Sequence, residues 1–308
     1  MTDHRLKTPV AFLIFNRPDT SEKVFDAIRN ARPPKLLVVA DGPRPNRQGE
    51  AEKCRAARAL IDRVDWTCEV LTNYSEANLG CKRRVSSGID WVFDTVEEAI
   101  ILEDDCVPEP TFFRFCEELL EKYRDDERVM AISGFNFQFG RKVTPYSYYF
   151  SRYAHMWGWA SWRRSWKNYD VTMKLWPQIR DEKGLQNIFH DRKLLCYWNN
   201  IFEITYKGKI DTWDYQWILT CMINSGLVIT PGVNLISNIG YAKDATHTTW
   251  NSIFGDMRTE PMRFPLSHPP FILNDERIDL MTNKIFFVPS YFTRAKHKLQ
   301  LFRRKYLK

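Results

Sequence analysis

The 308-residue chain is 44% hydrophobic, ample for one large α/β domain, yet it has neither a run near the roughly 20 apolar residues that cross a bilayer nor an apolar signal segment after Met1-Thr2-Asp3-His4-Arg5; a cytoplasmic protein is expected. Its seven cysteines are scattered, odd in number and form no Cys-x-x-Cys pair, which excludes a disulfide framework and a cysteine zinc site and fits a reducing compartment. The net charge of +7 lies wholly in residues 291–308, which hold seven of the 45 basic residues and no acid, so the other 38 balance the 38 acids.

Along the chain, strand and helix signals alternate. Val10-Ala11-Phe12-Leu13-Ile14-Phe15 has the pattern of a buried strand, and Asp19 with Glu22 has capping-box spacing before a helix to about residue 30. Pro33-Pro34 precedes a second strand at 36–40, which ends at Asp41-Gly42-Pro43. A helix over about 50 to 61, a third strand at 68–71 and a helix in which Val85, Ile89 and Val92 recur at i, i+4 and i+7 follow. The fourth apolar run, Ala99-Ile100-Ile101-Leu102, stops at Glu103-Asp104-Asp105, and another helix starts near Thr111. Repeated βα units imply right-handed crossovers and a mostly parallel sheet, so the carboxyl ends of these strands share one side. Further on, Trp159, Trp162 and Trp166 have helical spacing and predict a buried helix stripe, and residues 214–224 read as a helix. The resulting organisation is a βα half over 1–134, a second, aromatic-rich half of the same domain over 135–275, and a basic amphipathic tail over 276–308.

Glu103, Asp104 and Asp105 follow directly on an apolar run, so they emerge at the strand end where open α/β sheets bind ligands. Three like charges repel, and each resists leaving water. Mn²⁺ or Mg²⁺, hard ions that take carboxylate oxygens and bridge to phosphates, match such a cluster; a solvated turn is the plain alternative. The same rim receives Arg17, suited to a base edge or a phosphate, and Asp41, able to accept from a base or ribose donor. Gly80 with Lys82, Arg83 and Arg84 opens a helix whose amino end favours anions. Each has a simpler reading, as a loop cap, an ordinary turn pair or a solvated face, but their joint placement suits a nucleotide. No Gly-x-Gly-x-x-Gly follows the first strand and no Gly-x-x-x-x-Gly-Lys-Ser/Thr occurs, which weighs against a dinucleotide oxidoreductase and a P-loop enzyme.

Taken in order, Phe15-Asn16-Arg17-Pro18, Val38-Val39-Ala40-Asp41-Gly42-Pro43, Glu76-Ala77-Asn78-Leu79-Gly80-Cys81 and Ile100-Ile101-Leu102-Glu103-Asp104-Asp105-Cys106 resemble the nucleotide-sugar-binding half of GT-A glycosyltransferases. The triple acid is similar to that of the N-acetylglucosaminyltransferase I family. Gly158-Trp159-Ala160-Ser161-Trp162-Arg163, Trp176-Pro177, Asp211-Thr212-Trp213-Asp214, Ile239-Gly240 and His247 follow the order of that family's acceptor-side motifs. The resemblance implies a GT-A-type, Rossmann-like, mostly parallel sheet flanked by helices, and an inverting, metal-dependent transferase acting on a nucleotide sugar, with uridine as the base. It further implies that Asp105 binds the metal, that Asp214 is the catalytic base, and that Arg17 and Asp41 contact the nucleotide.

The residues themselves add detail. Asp214 is flanked by Trp213 and Trp217, an aromatic setting that raises a carboxylate's pKa if the side chain is buried there; Asp211 is its nearest rival, and a helix-capping role is the alternative. His247 can complete a metal site or hydrogen-bond a diphosphate. Trp157, Trp213 and Asp211 are expected near the donor or acceptor sugar, with Phe135, Asn136 and Phe137 as cleft walls. In the tail, Ala295, Leu299, Phe302 and Tyr306 share a helical face among cations, a pattern that rests on anionic membrane at about 1 kcal/mol per cation; packing on the body competes with that reading, and nucleic acid is not expected. The leading expectation is a glycosyltransferase that uses a nucleotide-sugar donor on a glycan or lipid-linked acceptor at the inner face of a membrane. A sugar-1-phosphate nucleotidyltransferase and a non-catalytic nucleotide- or glycan-binding module are the alternatives.

Overall fold

A computed structural model of the protein describes residues 5–240 and 254–289. The chain begins β1 (Val10–Ile14), α1 (Pro18–Ala31), β2 (Lys35–Ala40), α2 (Glu50–Ala59), β3 (Glu69–Tyr74), α3 (Gly80–Thr95) and β4 (Glu98–Glu103). It continues through β5 (Cys106–Pro108), α4 (Thr111–Lys122), β6 (Val129–Ser133), β7 (Tyr148–Ser151), β8 (Trp159–Trp162), α5 (Arg163–Trp166) and α6 (Trp176–Asp181). The last elements are α7 (Arg192–Tyr206), α8 (Asp214–Ile223), β9 (Leu227–Pro231), β10 (Ile236–Asn238) and α9 (Glu276–Thr282).

Eight strands form one sheet in the order β3-β2-β1-β4-β8-β6-β9-β7. The first four are parallel, β6 and β9 run the same way, and β7 and β8 run against them. This is a mixed α/β architecture with a mostly parallel sheet flanked by helices. The central strands β1, β2 and β4 are buried on both faces, which is why they read as uninterrupted apolar runs. β3 lies at the sheet's edge, with Glu69 and Thr72 exposed and the rest half-buried, and extends to Tyr74, beyond the apolar residues that mark it in the sequence. Among the described residues no helix is long and apolar enough to cross a membrane, and all seven cysteines are free thiols.

Two local expectations are corrected. The Asp19–Glu22 capping box does not form. Arg17 is the N-cap of α1 without a side-chain cap bond, and Pro18, whose fixed φ suits the first helical position, starts the helix instead. The tryptophan stripe is not one helix either, because Trp159 and Trp162 lie on β8, held by pairing to β4 and β6. Residues three apart on a strand face opposite sides. Trp159 accordingly packs with Trp166, Trp213 and Trp217 in one layer, while Trp162 enters the other layer and donates through Nε1 to Leu120 O at 3.2 Å.

The start of the 276–308 segment is part of the body. Asp279 of α9 accepts from Ser151 Oγ at 2.6 Å and from Arg152 N at 3.1 Å, and Phe287 is buried against Tyr153 and Trp198. The basic stretch after residue 289 lies outside the described residues.

Candidate active site

Strand order runs β3-β2-β1 on one side of β1 and continues with β4 on the other, so β1 and β4 flank the point where the winding reverses. Ligands of open α/β sheets bind in the crevice outside that point. Here the crevice is a cleft of about 600 Å³, lined among others by Arg17, Asp41, Glu103, Asp104, Asp105, Trp157, Asp211 and Asp214.

The acids sit at the end of β4 and in the turn to β5. Asp105 Oδ2 accepts from Arg17 Nη1 at 2.8 Å, and Asp104 lies 3.6 Å from the same nitrogen. Asp105 Oδ1 faces Asn238 Nδ2 and Cys106 Sγ, each at 3.4 Å. Asp104 is buried and accepts from Phe15 N at 3.2 Å. Burial pushes the Asp104 carboxyl up to about 7, with Arg17 pulling it down and Asp105 adding to the rise. Glu103 is pushed well above the usual carboxylate range by burial, then by the charges of Asp105, Asp104 and Asp214. Arg17 loses by burial, but the charges of Asp104 and Asp105 outweigh that loss and hold it above its usual value. The cation that relieves this cluster within the chain is therefore a guanidinium.

Gly240 closes the same corner. A Cβ there would stand 2.0 Å from Asp105 Oδ2, so only glycine lets the chain pass so close to the acid. Its N–H donates to Asn238 Oδ1 at 2.9 Å, and Ile239 N donates to Asp105 O at 2.8 Å.

Asp41 is used differently from expectation. Its oxygens accept from Gly42 N, Leu79 N, Gly80 N and Asn78 Nδ2 at 2.9 to 3.1 Å, which fills its four lone-pair positions. Burial raises its pKa while those backbone donors oppose the rise. Asp41 thus shapes the turn into α3 and has no acceptor position left for a base or ribose in this arrangement. Arg84 is also turned inward, donating to Ala40 O and to the backbone and side chain of Asn73, whereas Arg83 is exposed, so the 82–84 run is split between core and solvent. Lys82 contributes its backbone N–H to Asp211 rather than its ammonium to the cleft lining.

Asp211 occupies the amino end of α3, accepting from Cys81 N and Lys82 N at 3.0 Å each. The anion that this helix end favours is thus supplied by the second half of the chain. Three residues on, Asp214 opens α8, with Oδ1 accepting from Thr212 Oγ1 and from Tyr215 N. Asp214 and the β4 acids line the same cleft, and its charge reaches Glu103.

Trp157 is half-buried in the cleft wall, backed edge-on by Phe135 at 4.6 Å between ring centroids. Trp213 also lines the cleft, but it is 3% exposed and its ring stacks on Trp159 at 5.7 Å between centroids, within the core. Phe135 and Phe137 back Trp157 from behind, and Asn136 ties Pro231 O to Gln138 N; none of the three lines the cleft directly. His247 lies outside the described residues. Sequence reasoning gives Asn238 no role and includes Gly240 only within the ordered Ile239-Gly240 motif, without assigning it a position beside the acids.

Among the described residues no three His, Cys, Asp or Glu side chains converge as a ready-made metal cage. The hard oxygens of Asp105, beside the enclosed Glu103, fit the other mode, in which Mg²⁺ or Mn²⁺ uses one or two carboxylates and takes further ligands from substrate phosphates and water.

No protein-family model matches the sequence, and no curated protein matches it significantly. A solved structure of UDP-glucose pyrophosphorylase complexed with UDP-glucose is similar to 73% of this chain and 90% of its own length, at 9% sequence identity and a TM-score of 0.34.

Proposed function

We propose that the cleft binds a nucleotide diphosphate sugar, with UDP as the nucleotide, and that the protein transfers the sugar to a hydroxyl of a glycan or lipid-linked acceptor with inversion. The observation that carries this reading is the presence of two separate acid groups in one cleft: Glu103, Asp104 and Asp105 at the strand switch point, and Asp214 at the start of α8. The first group with Arg17 suits a diphosphate, and the second suits an acceptor.

In this reaction the acceptor oxygen bonds to the anomeric carbon while the bond from that carbon to the phosphate oxygen breaks, its electron pair leaving on the diphosphate. Asp214 takes the proton of the attacking hydroxyl, held in orientation by Thr212 Oγ1 and Tyr215 N. Arg17, a fork of N–H donors, stabilises negative charge as it develops on the leaving group. Asp105 and Glu103 would hold Mn²⁺ or Mg²⁺, which when bound supplies further charge stabilisation at the diphosphate. The basic segment 291–308 keeps the enzyme near a lipid-linked acceptor at an anionic surface; its deletion is expected to weaken vesicle binding in a salt-sensitive way.

A second reading, nucleotidyl transfer to a sugar 1-phosphate, uses the same cleft, and UDP-glucose pyrophosphorylase is an enzyme of that kind. The turn after β1, Phe15-Asn16-Arg17-Pro18, has neither the glycine nor the lysine of a phosphate loop, which favours glycosyl transfer. One assay separates them: UDP-sugar with Mn²⁺ and a hydroxyl acceptor yields UDP under the first reading, whereas UDP-sugar with pyrophosphate yields UTP under the second. Donor binding without either product would identify a non-catalytic module.

A further inference from the structure

The turn that Asp41 organises leaves two polar atoms free in the cleft. Asn78 Nδ2 donates to Asp41 Oδ2 at 3.0 Å and to Gly42 O at 2.9 Å, so the amide is fixed with its oxygen turned away from both acceptors. Arg84 is 6% exposed; its Nε donates to Ala40 O at 3.1 Å and its Nη2 to the backbone and side-chain oxygens of Asn73. Both residues line the cleft, yet Asn78 Oδ1 and Arg84 Nη1 make no hydrogen bond among the described residues, and neither atom is closed off from it. The charge of Asp41 reaches Arg84 without a direct ion pair. A buried guanidinium with a spare N–H at a cavity calls for an acceptor supplied by a ligand.

Place in the sheet decides which part of a nucleotide meets these atoms. Arg84 is tied to the carboxyl ends of β2 and β3, whereas Arg17 and Asp105 stand at the ends of β1 and β4. Two strand spacings, about 10 Å, separate the two places. That is the reach of a ribose and its base beyond a diphosphate.

We infer that Asn78 Oδ1 and Arg84 Nη1 together read the base, and that they select one with a neighbouring N–H and C=O, the lactam edge of uracil or guanine. The inference rests on the nucleotide reading of the cleft and gives Asn78 the contact that Asp41, its lone pairs filled, does not make. The base N–H donates to Asn78 Oδ1, and the base carbonyl accepts from Arg84 Nη1. Cytosine and adenine carry the reverse order: a ring-nitrogen lone pair faces the Asn78 oxygen, and an amino group faces the guanidinium. Asn78 does not turn over to suit them, because its oxygen would then face Asp41 Oδ2 and Gly42 O, both acceptors.

Titration calorimetry of the full chain with Mg²⁺ and UDP, N3-methyl-UDP, CDP, ADP or GDP tests this. The five share a diphosphate, so differences among them report on the base. UDP is expected to bind about tenfold or more tightly than N3-methyl-UDP, CDP and ADP, the discrimination of a well-made edge contact. GDP carries the same edge on a larger ring; an affinity at or above that of UDP would name guanine as the base with the edge assignment intact. In Asn78→Ala the gap between UDP and N3-methyl-UDP is expected to close, with thermal unfolding reporting whether the Asp41 turn survives; the wild-type comparison needs no variant. UDP and GDP bound no better than CDP, ADP and N3-methyl-UDP overturn the inference and leave the nucleotide reading standing, whereas no binding by any of the five overturns both.

Discussion

Arg17 donates to Asp105 at 2.8 Å across the point where the sheet reverses its winding, joining the ends of β1 and β4. The contact makes the acidic corner a partly neutralised one, with Asp105 shared between an internal guanidinium and the cleft. Asp105→Ala is expected to abolish the extra thermal stabilisation that Mn²⁺ adds to UDP-sugar binding, since ligand binding to the folded state alone raises stability by mass action. Undiminished stabilisation in this variant would remove Asp105 from the donor site.

Asp214→Asn keeps the size and the Thr212 contact of the side chain but cannot take a proton. Donor affinity should stay near wild type while turnover falls by about two to four orders of magnitude, the usual effect of a positioned base. Single-turnover kinetics with a hydroxyl acceptor decide the point, and near-normal rates would move the role elsewhere.

Asp211→Ala separates a cap from a base. Its carboxylate already serves two backbone N–H groups of α3, so the variant should lose about 1 kcal/mol of stability and retain most turnover at a temperature where it is folded. A collapse of turnover comparable with that of Asp214→Asn, with stability intact, contradicts the capping role.

Gly240→Ala places a Cβ where Asp105 Oδ2 now lies, 2.0 Å away. The acid must shift, and UDP-sugar affinity is expected to fall about tenfold or more, the scale of a misplaced charge-assisted contact. Titration calorimetry measures this, and an unchanged affinity means the Asp105 position is not used by the donor.

Asp279 provides a pH test remote from the cleft. Burial pushes its carboxyl up to about 6, against its contacts with Ser151 and Arg152. A raised acid pKa means that the native state keeps a proton the unfolded chain releases, so this contribution to stability is present below about pH 4 and is lost as pH rises to about 6. Its upper bound is about 3 kcal/mol. Urea denaturation of wild type and Asp279→Ala at pH 4.5 and 7 should show the larger difference at pH 4.5; an equal difference at both overturns the assignment.

The sheet's centre is legible in the sequence because β1, β2 and β4 are buried on both faces and leave uninterrupted apolar runs. Their parallel pairing follows from the helices between them, and the acidic rim follows from where those runs stop. The partners of the rim residues are not legible. Arg17 and Asp105 are 88 residues apart, and Asp211 reaches Cys81 from 130 residues away, so neither contact leaves a local pattern. Asp41 likewise looks free in sequence because its four donors are mostly backbone N–H groups, which every residue but proline carries. Trp159, Trp162 and Trp166 misled for another reason: a spacing of three and four fits a helix, while strand pairing to β4 and β6 overrode it.

β8 is four residues long, yet its two tryptophans anchor opposite layers of the molecule and its backbone registers against β4, with Trp159 beside Ile101 and Trp162 beside Glu98. A slip of one residue would exchange the two indoles between layers of different shape and displace the strand that carries the acids. The short strand thus works as a rivet. Insertions within 159–162 should be among the least tolerated in the chain, even though no residue of that strand touches the cleft.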